Sequence, residues 1–270
     1  MGALLSVLID PKRAVFLSVV VGWAATLYFG RRVARVPVAQ LVVGTLVITA
    51  TALAGARLHY LLGSSTAAGV TGRLADSGVH AGGGVIGLVL GLLLVVRLLG
   101  LSPAVLADVS AMAAGVALAV YRLGCFARGC CFGTPSDLPW AIRYDRHSAA
   151  FLLHVQARLV DANDQWSAPV HPLPLYFAAA ALAITTIGAA LHRLRRFDGE
   201  IALVGLTLFS LSTLGLEFLR ASVPGQVRWG PLPQLVWIAA GLSLASVVTL
   251  AMTERAARRA VEYGRRSPRH

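Results

Sequence analysis

The segment YRLGCFARGCCFG, residues 121–133, gathers Arg122, Arg128 and all three cysteines of the chain, Cys125, Cys130 and Cys131. A guanidinium group is a planar fork of N–H donors that meets two oxygens of one phosphate or carboxylate. A thiol is a nucleophile, half of a redox pair or a soft metal ligand. Three cysteines do not make a disulfide framework. Their spacing also lacks the paired pattern of a zinc motif, so no residue is assigned as a metal ligand, although His80 would complete a site in space. Four roles for the thiols stay open. They are packing as small buried groups, a disulfide between Cys125 and one of the adjacent pair, thiol chemistry or acyl carriage, and metal binding.

Other ionisable residues stand at the rims of apolar runs. GARLHYLLG carries Arg57, His59 and Tyr60; GVHAGGGVIGL carries His80 before Gly82, Gly83 and Gly84; GLEFLRASVPG carries Glu217 and Arg220. Asp108 begins another apolar run. Ionisable groups at such places are costly and usually face a cavity or a partner. Each also has a purely structural role: arginines snorkel to headgroups, Asp108 caps a helix or pairs with Arg97, His59 lies at the interface, and the glycines mark close helix packing. As a set, Arg57, His80, Arg122, Arg128, Glu217 and Arg220 share one predicted depth on four different spans. Their net positive charge suits an anionic headgroup, and the glycines let backbone or lipid come close.

The elements that carry these residues follow from composition. The chain has 270 residues, is 57% hydrophobic and only 13% charged, whereas a soluble domain carries about 25% charged residues. Long apolar runs recur, so the expected fold class is an all-α polytopic membrane protein with about seven transmembrane helices. The spans are expected at 14–30, 38–62, 79–100, 104–126, 171–192, 200–219 and 232–252. The net charge is +12, nearly all of it from Arg. In a membrane protein such charge sits in loops that face anionic lipid, so no nucleic-acid partner is expected. MGALLSVLIDPKR places its apolar stretch before its charges, the wrong order for a cleaved signal peptide, and is read as part of the mature protein.

Arginine clusters at 31–35, 193–196 and 255–269 fall on one side of a seven-span chain. The positive-inside rule then places the N-terminus outside and the C-terminus in the cytoplasm. The long connection at 127–170 mixes charges, prolines and aromatics; Trp140, Tyr144 and Trp166 suggest a small folded head on the outer membrane surface. The whole chain, 1–270, is read as one domain with 127–170 as an extracytoplasmic head insertion.

The order GARLHYLL, GGGVIGL, Asp108, GVALAVYRLGCFARGCCFG, TPSDLPWAIRY, HPLPLY, LEFLR and PLPQL resembles the bacterial prolipoprotein diacylglyceryl transferase family over nearly its whole length. The strongest block runs from Gly115 to Tyr144. The resemblance implies seven spans, an outer N-terminus, a small extracytoplasmic head and residence in the bacterial inner membrane. It implies transfer of a diacylglyceryl group from phosphatidylglycerol to the lipobox cysteine of a prolipoprotein, forming a thioether and releasing glycerol phosphate, with no cofactor. Arg122 matches the family arginine associated with the phosphatidylglycerol headgroup, and Glu217 and Arg220 match its Glu-Phe-x-Arg segment. The expected catalytic set is therefore His80, Arg122 and Glu217. Arg57, Arg128, Arg220 and Gly133 join Arg122 in the expected substrate-binding set.

The chain also departs from the family pattern. Cys125 and Arg128 stand where the family has Asn, Cys130 where it has Glu, Thr213 where it has Arg, Gly82 where it has His, and Pro174 where it has Gln. These changes leave a second function open, a thiol-active paralogue on the same lipid-binding scaffold acting on another lipid or exported protein. A third class, a lipid-binding or transporter-like protein, lacks the inverted repeat and broken spans it would need.

Overall fold

The computed structural model describes residues 10–63, 81–222, 228–229 and 232–266. Among these residues the chain forms α1 (Pro11–Arg32), α2 (Val38–Gly63), α3 (Ala81–Leu99), α4 (Pro103–Ala127), α5 (Ala149–Gln156), α6 (Leu173–Leu191), α7 (Glu200–Glu217) and α8 (Gln234–Arg266). A short antiparallel ladder precedes α8, in which β1 (Arg228–Trp229) pairs with β2 (Leu232–Pro233), Arg228 opposite Pro233.

Six helices, α1, α2, α4, α6, α7 and α8, are long and apolar enough to cross a membrane. The seventh expected span is α3, whose described side chains form a shorter apolar stretch, Ile86–Leu99. Large apolar side chains remain exposed along these helices, Phe16, Leu53, Leu90, Leu98 and Leu244 among them. Such a surface suits hydrocarbon rather than water. The chain is thus an all-α, multi-pass membrane protein. The last span, expected at 232–252, is found at Gln234–Ala256, and the helix α8 itself continues beyond it to Arg266. Its C-terminal part, TERAARRAVEYGRR, is polar but rich in strong helix formers, so the helix persists where hydropathy stops.

The described residues fall into two compact units, Thr26–Val109 and a larger one made of Met1–Ala25 with Ser110–His270. In the smaller unit α2 and α3 lie against each other through small residues. A Cβ on Gly83 would run into the backbone oxygen of Gly55, and one on Gly87 into that of Thr51. Gly91 repeats the contact one turn on, at Thr51 and Ile48. Hydrocarbon gives helices no hydrophobic reason to associate, so backbone approach through small residues takes its place. Asp108, read as capping a helix or pairing with Arg97, is fully buried in the second turn of α4, past the position of an N-cap, and has a polar or electrostatic partner there.

In the larger unit α4 packs closely on α1 and α6. A Cβ at Gly22 would lie 3.2 Å from that of Ala117. One at Gly115 would meet the hydroxyl of Thr185, which donates to the Ala181 carbonyl at 3.0 Å. Helices α7 and α8 are joined by hydroxyls: Ser243 donates to Ser210 at 2.9 Å and Thr207 to Ser246 at 2.9 Å.

The connection between α4 and α6 folds into a small head. Phe132, Tyr144, Ala150 and Val170 form its core, with Phe126, Ile142, Leu153 and Ala221 packed around them. Ser148 caps α5 by accepting from the Phe151 N–H at 3.1 Å. Trp140 and Trp166 are exposed, as an interfacial pair would be. Tyr144 does not join them: it is only 8% exposed and belongs to the core. A lone tyrosine in a loop sequence carries no signal of which way it turns.

Candidate functional site

The site gathers where α4 ends. Arg122 lies in the last turns of that helix, one helical face above Leu118, Gly115 and Ala111, at offsets of 4, 7 and 11 residues. Its guanidinium carbon sits 4.4 Å from the ring centroid of Phe177. The guanidinium of Arg220 approaches the same ring at 5.8 Å. Phe177, only 2% exposed, therefore holds two cations near one another through the negative charge of its ring faces.

Like charges placed so close need a reason to stay. Glu217 supplies part of it: its carboxylate accepts from Arg220 Nε at 2.9 Å, and its side chain is 1% exposed. With Arg122 at the same ring and Arg128 in the adjoining turn, this one carboxylate leaves the site a positive excess. Arg122 Nε and Arg128 Nη1 are buried with no hydrogen-bond partner, as is the hydroxyl of Tyr144. Unpaired buried donors are rare and mark a place for a ligand or an ordered water. Burial pushes the Tyr144 hydroxyl above its ordinary range, which keeps it a neutral donor.

Local backbone geometry explains how the head reaches this place. After α4 the chain reverses through Gly129, at φ +63°, where a Cβ would lie 2.7 Å from that of Ser148. The Gly129 carbonyl then accepts from the Ala150 N–H at 3.1 Å, docking α5 on the turn. Gly133 next passes between two strands of backbone. Its N–H donates to the His171 carbonyl at 3.1 Å, and Thr134 N–H donates to that of Leu219 at 2.8 Å. A Cβ on Gly133 would fall 2.6 Å from the His171 Cβ and 2.8 Å from the Leu219 oxygen. Gly133 is thus where segment 132–134 is threaded beside Arg220, with which it forms a bridge.

The three cysteines lie in the same turn. Cys125 is buried, Cys130 and Cys131 are half-buried, and all three are free. Arg128 Nη2 points at Cys125 Sγ at 3.8 Å and at Cys130 Sγ at 3.9 Å. Hydrogen bonds from the Cys125 and Cys130 thiols, with the Arg122 and Arg220 charges, draw the Cys131 thiol below its ordinary value, against burial. His171 and Trp140 complete the surroundings: Trp140 Nε1 donates to the Tyr176 hydroxyl at 2.7 Å, which lies 3.4 Å from His171 Nδ1.

Below the arginines runs an apolar cleft of about 230 Å³. Ala111, Gly115 and Leu118 of α4 line it with Ala181 and Ile184 of α6 and Gly205 of α7. Arg122 and Phe177 cap the α4 and α6 rows that descend into it. At a rise of 1.5 Å per residue, the row from Arg122 to Ala111 spans about 16 Å. That is about half of a 30 Å hydrocarbon core, the depth of one leaflet.

Of the residues singled out from sequence, the structure brings Arg122, Arg128, Arg220, Glu217, Gly133 and the three cysteines into this one unit. Arg57 and His59 belong to the other unit, and each has a polar or electrostatic partner there or nearby. His80, with Gly78 and Val79 before it, lies outside the described residues. Phe177, the Tyr144 hydroxyl and the cleft were not foreseen. The stripe at Arg122, Leu118, Gly115 and Ala111 was open to helical periodicity; nothing in HPLPLYF singles out Phe177.

Comparison with known proteins bears on the family of the chain. The family model described as prolipoprotein diacylglyceryl transferase matches residues 14–254. A phosphatidylglycerol–prolipoprotein diacylglyceryl transferase of Frankia alni is 28% identical over 255 residues, 91% of this chain and 64% of that protein. One of the same name from Methylocella silvestris is 28% identical over 182 residues, 64% of this chain and 60% of its own length. The chain thus spans somewhat under two thirds of each of these curated relatives.

Proposed function

The chain belongs to the prolipoprotein diacylglyceryl transferase family, and from that premise we propose that it transfers a diacylglyceryl group from phosphatidylglycerol to the lipobox cysteine thiol of a prolipoprotein. The observation that carries this reading is the Nε of Arg122, buried and unpartnered, one helical turn above an apolar cleft that α4 lines from Leu118 to Ala111. A phospholipid is the ligand whose two halves match those two features. Its phosphate meets the Arg122 fork while its acyl chains follow Leu118, Gly115 and Ala111 downwards.

In the reaction the acceptor sulfur forms a C–S bond to the glyceryl carbon, and the C–O bond to phosphate breaks. The thiol proton goes to a base, and glycerol phosphate leaves with the electron pair of the C–O bond. Negative charge grows on the departing phosphate, so cations held in place beforehand stabilise the transition state more than the bound lipid. Arg122 touches the phosphate in this scheme. Arg220 adds charge from across Phe177, and Arg128 adds it from the turn. Glu217 acts through Arg220: with its carboxylate engaged at 2.9 Å, it is a positioning residue rather than the base. Tyr144 offers a further neutral donor. His80 remains the proposed base, since a histidine near its ordinary pKa of about 6.5 accepts a proton at neutral pH.

The proposed setting is the bacterial cytoplasmic membrane, with the N-terminus and the 127–170 head outside and the 193–196 loop and C-terminus inside. The warrant is the arginine asymmetry of the loops. The head then meets the exported prolipoprotein, whose signal-peptide helix approaches within the membrane.

Complementation tests the activity. A cell depleted of its own transferase and given this chain should regain growth, and its lipoproteins should carry the thioether diacylglyceryl mass. The Arg122→Ala variant, inserted at normal level, should restore neither. Absence of the lipid mass with the parent chain would sink the transferase reading. The thiol-active alternative rests on the clustered cysteines and predicts something different: a lipid adduct on Cys125, Cys130 or Cys131 in the intact mass of the protein.

A further inference from the structure

The transfer chemistry leaves the three thiols without a task. Their geometry is nevertheless specific. Cys125 lies in the last turn of α4, and the Cys130 N–H returns to donate to its carbonyl at 3.1 Å. Two left-handed residues make the return possible, Gly129 at φ +63° and Cys131 at φ +58°. A side-chain-bearing residue rarely adopts that conformation, because its Cβ crowds the carbonyl oxygen. Here the turn brings all three Sγ atoms within 4.8 Å of one another.

That spacing is near what one shared ion requires. Three sulfurs bound at about 2.3 Å to a single cation lie roughly 4 Å apart. The thiols therefore need only close in by less than an ångström from their widest separation. Among the described residues no histidine or carboxylate joins the group, so the ion would keep an open position beside three soft ligands.

The surroundings also match. Three thiolates and one divalent cation carry a net charge of −1. The Arg128 guanidinium carries +1 and already aims Nη2 at two of the sulfurs, at 3.8 and 3.9 Å. N–H donors on metal-bound thiolates are the outer-shell contacts that tune such sites. Burial of Cys125 closes the inner side, while half-buried Cys130 and Cys131 leave a way in.

We propose that Cys125, Cys130 and Cys131 form a three-thiolate site for a thiophilic divalent cation of the zinc class. Binding releases to solvent the protons that the thiols still carry and involves no change of oxidation state. The cysteine spacing in the sequence does not announce the site; the two left-handed residues build it.

The test uses the full chain in lipid nanodiscs, purified with reductant that is then removed, and titrated with cobalt(II). The expected result is a sulfur-to-cobalt charge-transfer band that saturates at one ion per chain and is displaced by zinc(II). Zinc addition to the apo protein should release two to three protons per ion into a weakly buffered indicator. Cys125→Ser and Cys131→Ser should each abolish the band, and Arg128→Gln should weaken zinc binding by about 10- to 100-fold, the range for lost outer-shell contacts. Two single variants are used so that misfolding of one, seen by gel filtration, leaves the other decisive. No charge-transfer band from protein whose three thiols titrate as free would overturn the proposal. So would a band that survives in the triple Cys→Ser protein, or a thiol count showing a disulfide in protein kept from oxidant. All readouts are made without lipid substrate, so they stand whether or not the chain transfers diacylglycerol.

Discussion

Replacing Phe177 by Leu probes the electrostatic arrangement without touching a charged group. The ring lies 4.4 Å from the Arg122 guanidinium and is 2% exposed. A desolvated cation–π contact of this kind is worth about 2 kcal/mol, against 0.5–1 kcal/mol at an exposed site. The Arg220 contact at 5.8 Å is near the outer limit of such an interaction and adds little. Since 1.36 kcal/mol is a factor of ten in rate, losing Arg122's anchorage should lower kcat/KM by about 30-fold. The assay is thioether formation on a lipobox peptide in phosphatidylglycerol nanodiscs, with folding checked by thermal melting. Arg122→Lys alone, which keeps the charge and loses the fork, should cost about 1.5–3 kcal/mol, or roughly 10- to 150-fold. In the Arg122→Lys background Phe177→Leu should cost less than about fivefold, because contacting positions are not additive. Parental activity in Phe177→Leu, or simply multiplied losses in the double variant, would refute the claim that the ring acts by holding Arg122.

Gly205→Leu fills the cleft, since a Cβ there meets only Ile184 and Ala111 at 3.8 and 3.9 Å; transfer from long-chain phosphatidylglycerol should fall more than from short-chain lipid, and equal losses would detach the cleft from the acyl chains. His154 is buried, accepts from the Ala168 N–H at 3.2 Å through Nδ1, and has its pKa lowered by burial. The unfolded chain then takes up its proton first as pH falls below about 6.5, so stability is intact above that value and declines below it. The protection of the Ala168 amide, corrected for its intrinsic exchange rate, should fall between pH 7 and pH 5, and His154→Gln should flatten the change; unchanged protection would contradict the assignment. Single-cysteine labelling in intact cells should modify a probe in 157–168 from outside but not one in the 193–196 loop, and the reverse pattern would invert the topology.

The helices were legible because membrane spans announce themselves by length and hydropathy alone. The end of α8 was not, because beyond residue 252 propensity rather than hydropathy carries the helix to Arg266. Within the site, Glu217 and Arg220 were legible together through the LEFLR segment, although Arg220 lies three residues beyond the end of α7. Arg122 over Phe177 was not, because the two meet only through the packing of α4 on α6. Tyr144 misled for the same reason: aromatic character fits both an interface and a core, and only tertiary contacts choose. The thiol cluster depends on the left-handed backbone at Cys131, a conformation that a cysteine does not advertise.

The hydroxyl pairs between α7 and α8 have a mechanical consequence. Ser210 with Ser243 and Thr207 with Ser246 form two rungs. Arg196, bound to both Glu200 and Glu254, forms a third at the far end. Interhelical hydrogen bonds in membranes average only about 0.6 kcal/mol each, but sliding or turning one helix breaks all three rungs at once. Helices α7 and α8 therefore behave as one stiff strut with no easy slip along its length. Arg220 rides at one tip of that strut and the Arg196 clasp at the other, about 27 Å away for the 18 residues of α7. A tug on the clasp at one end of the strut reaches Arg220 at the other as a tilt, not as a loosening.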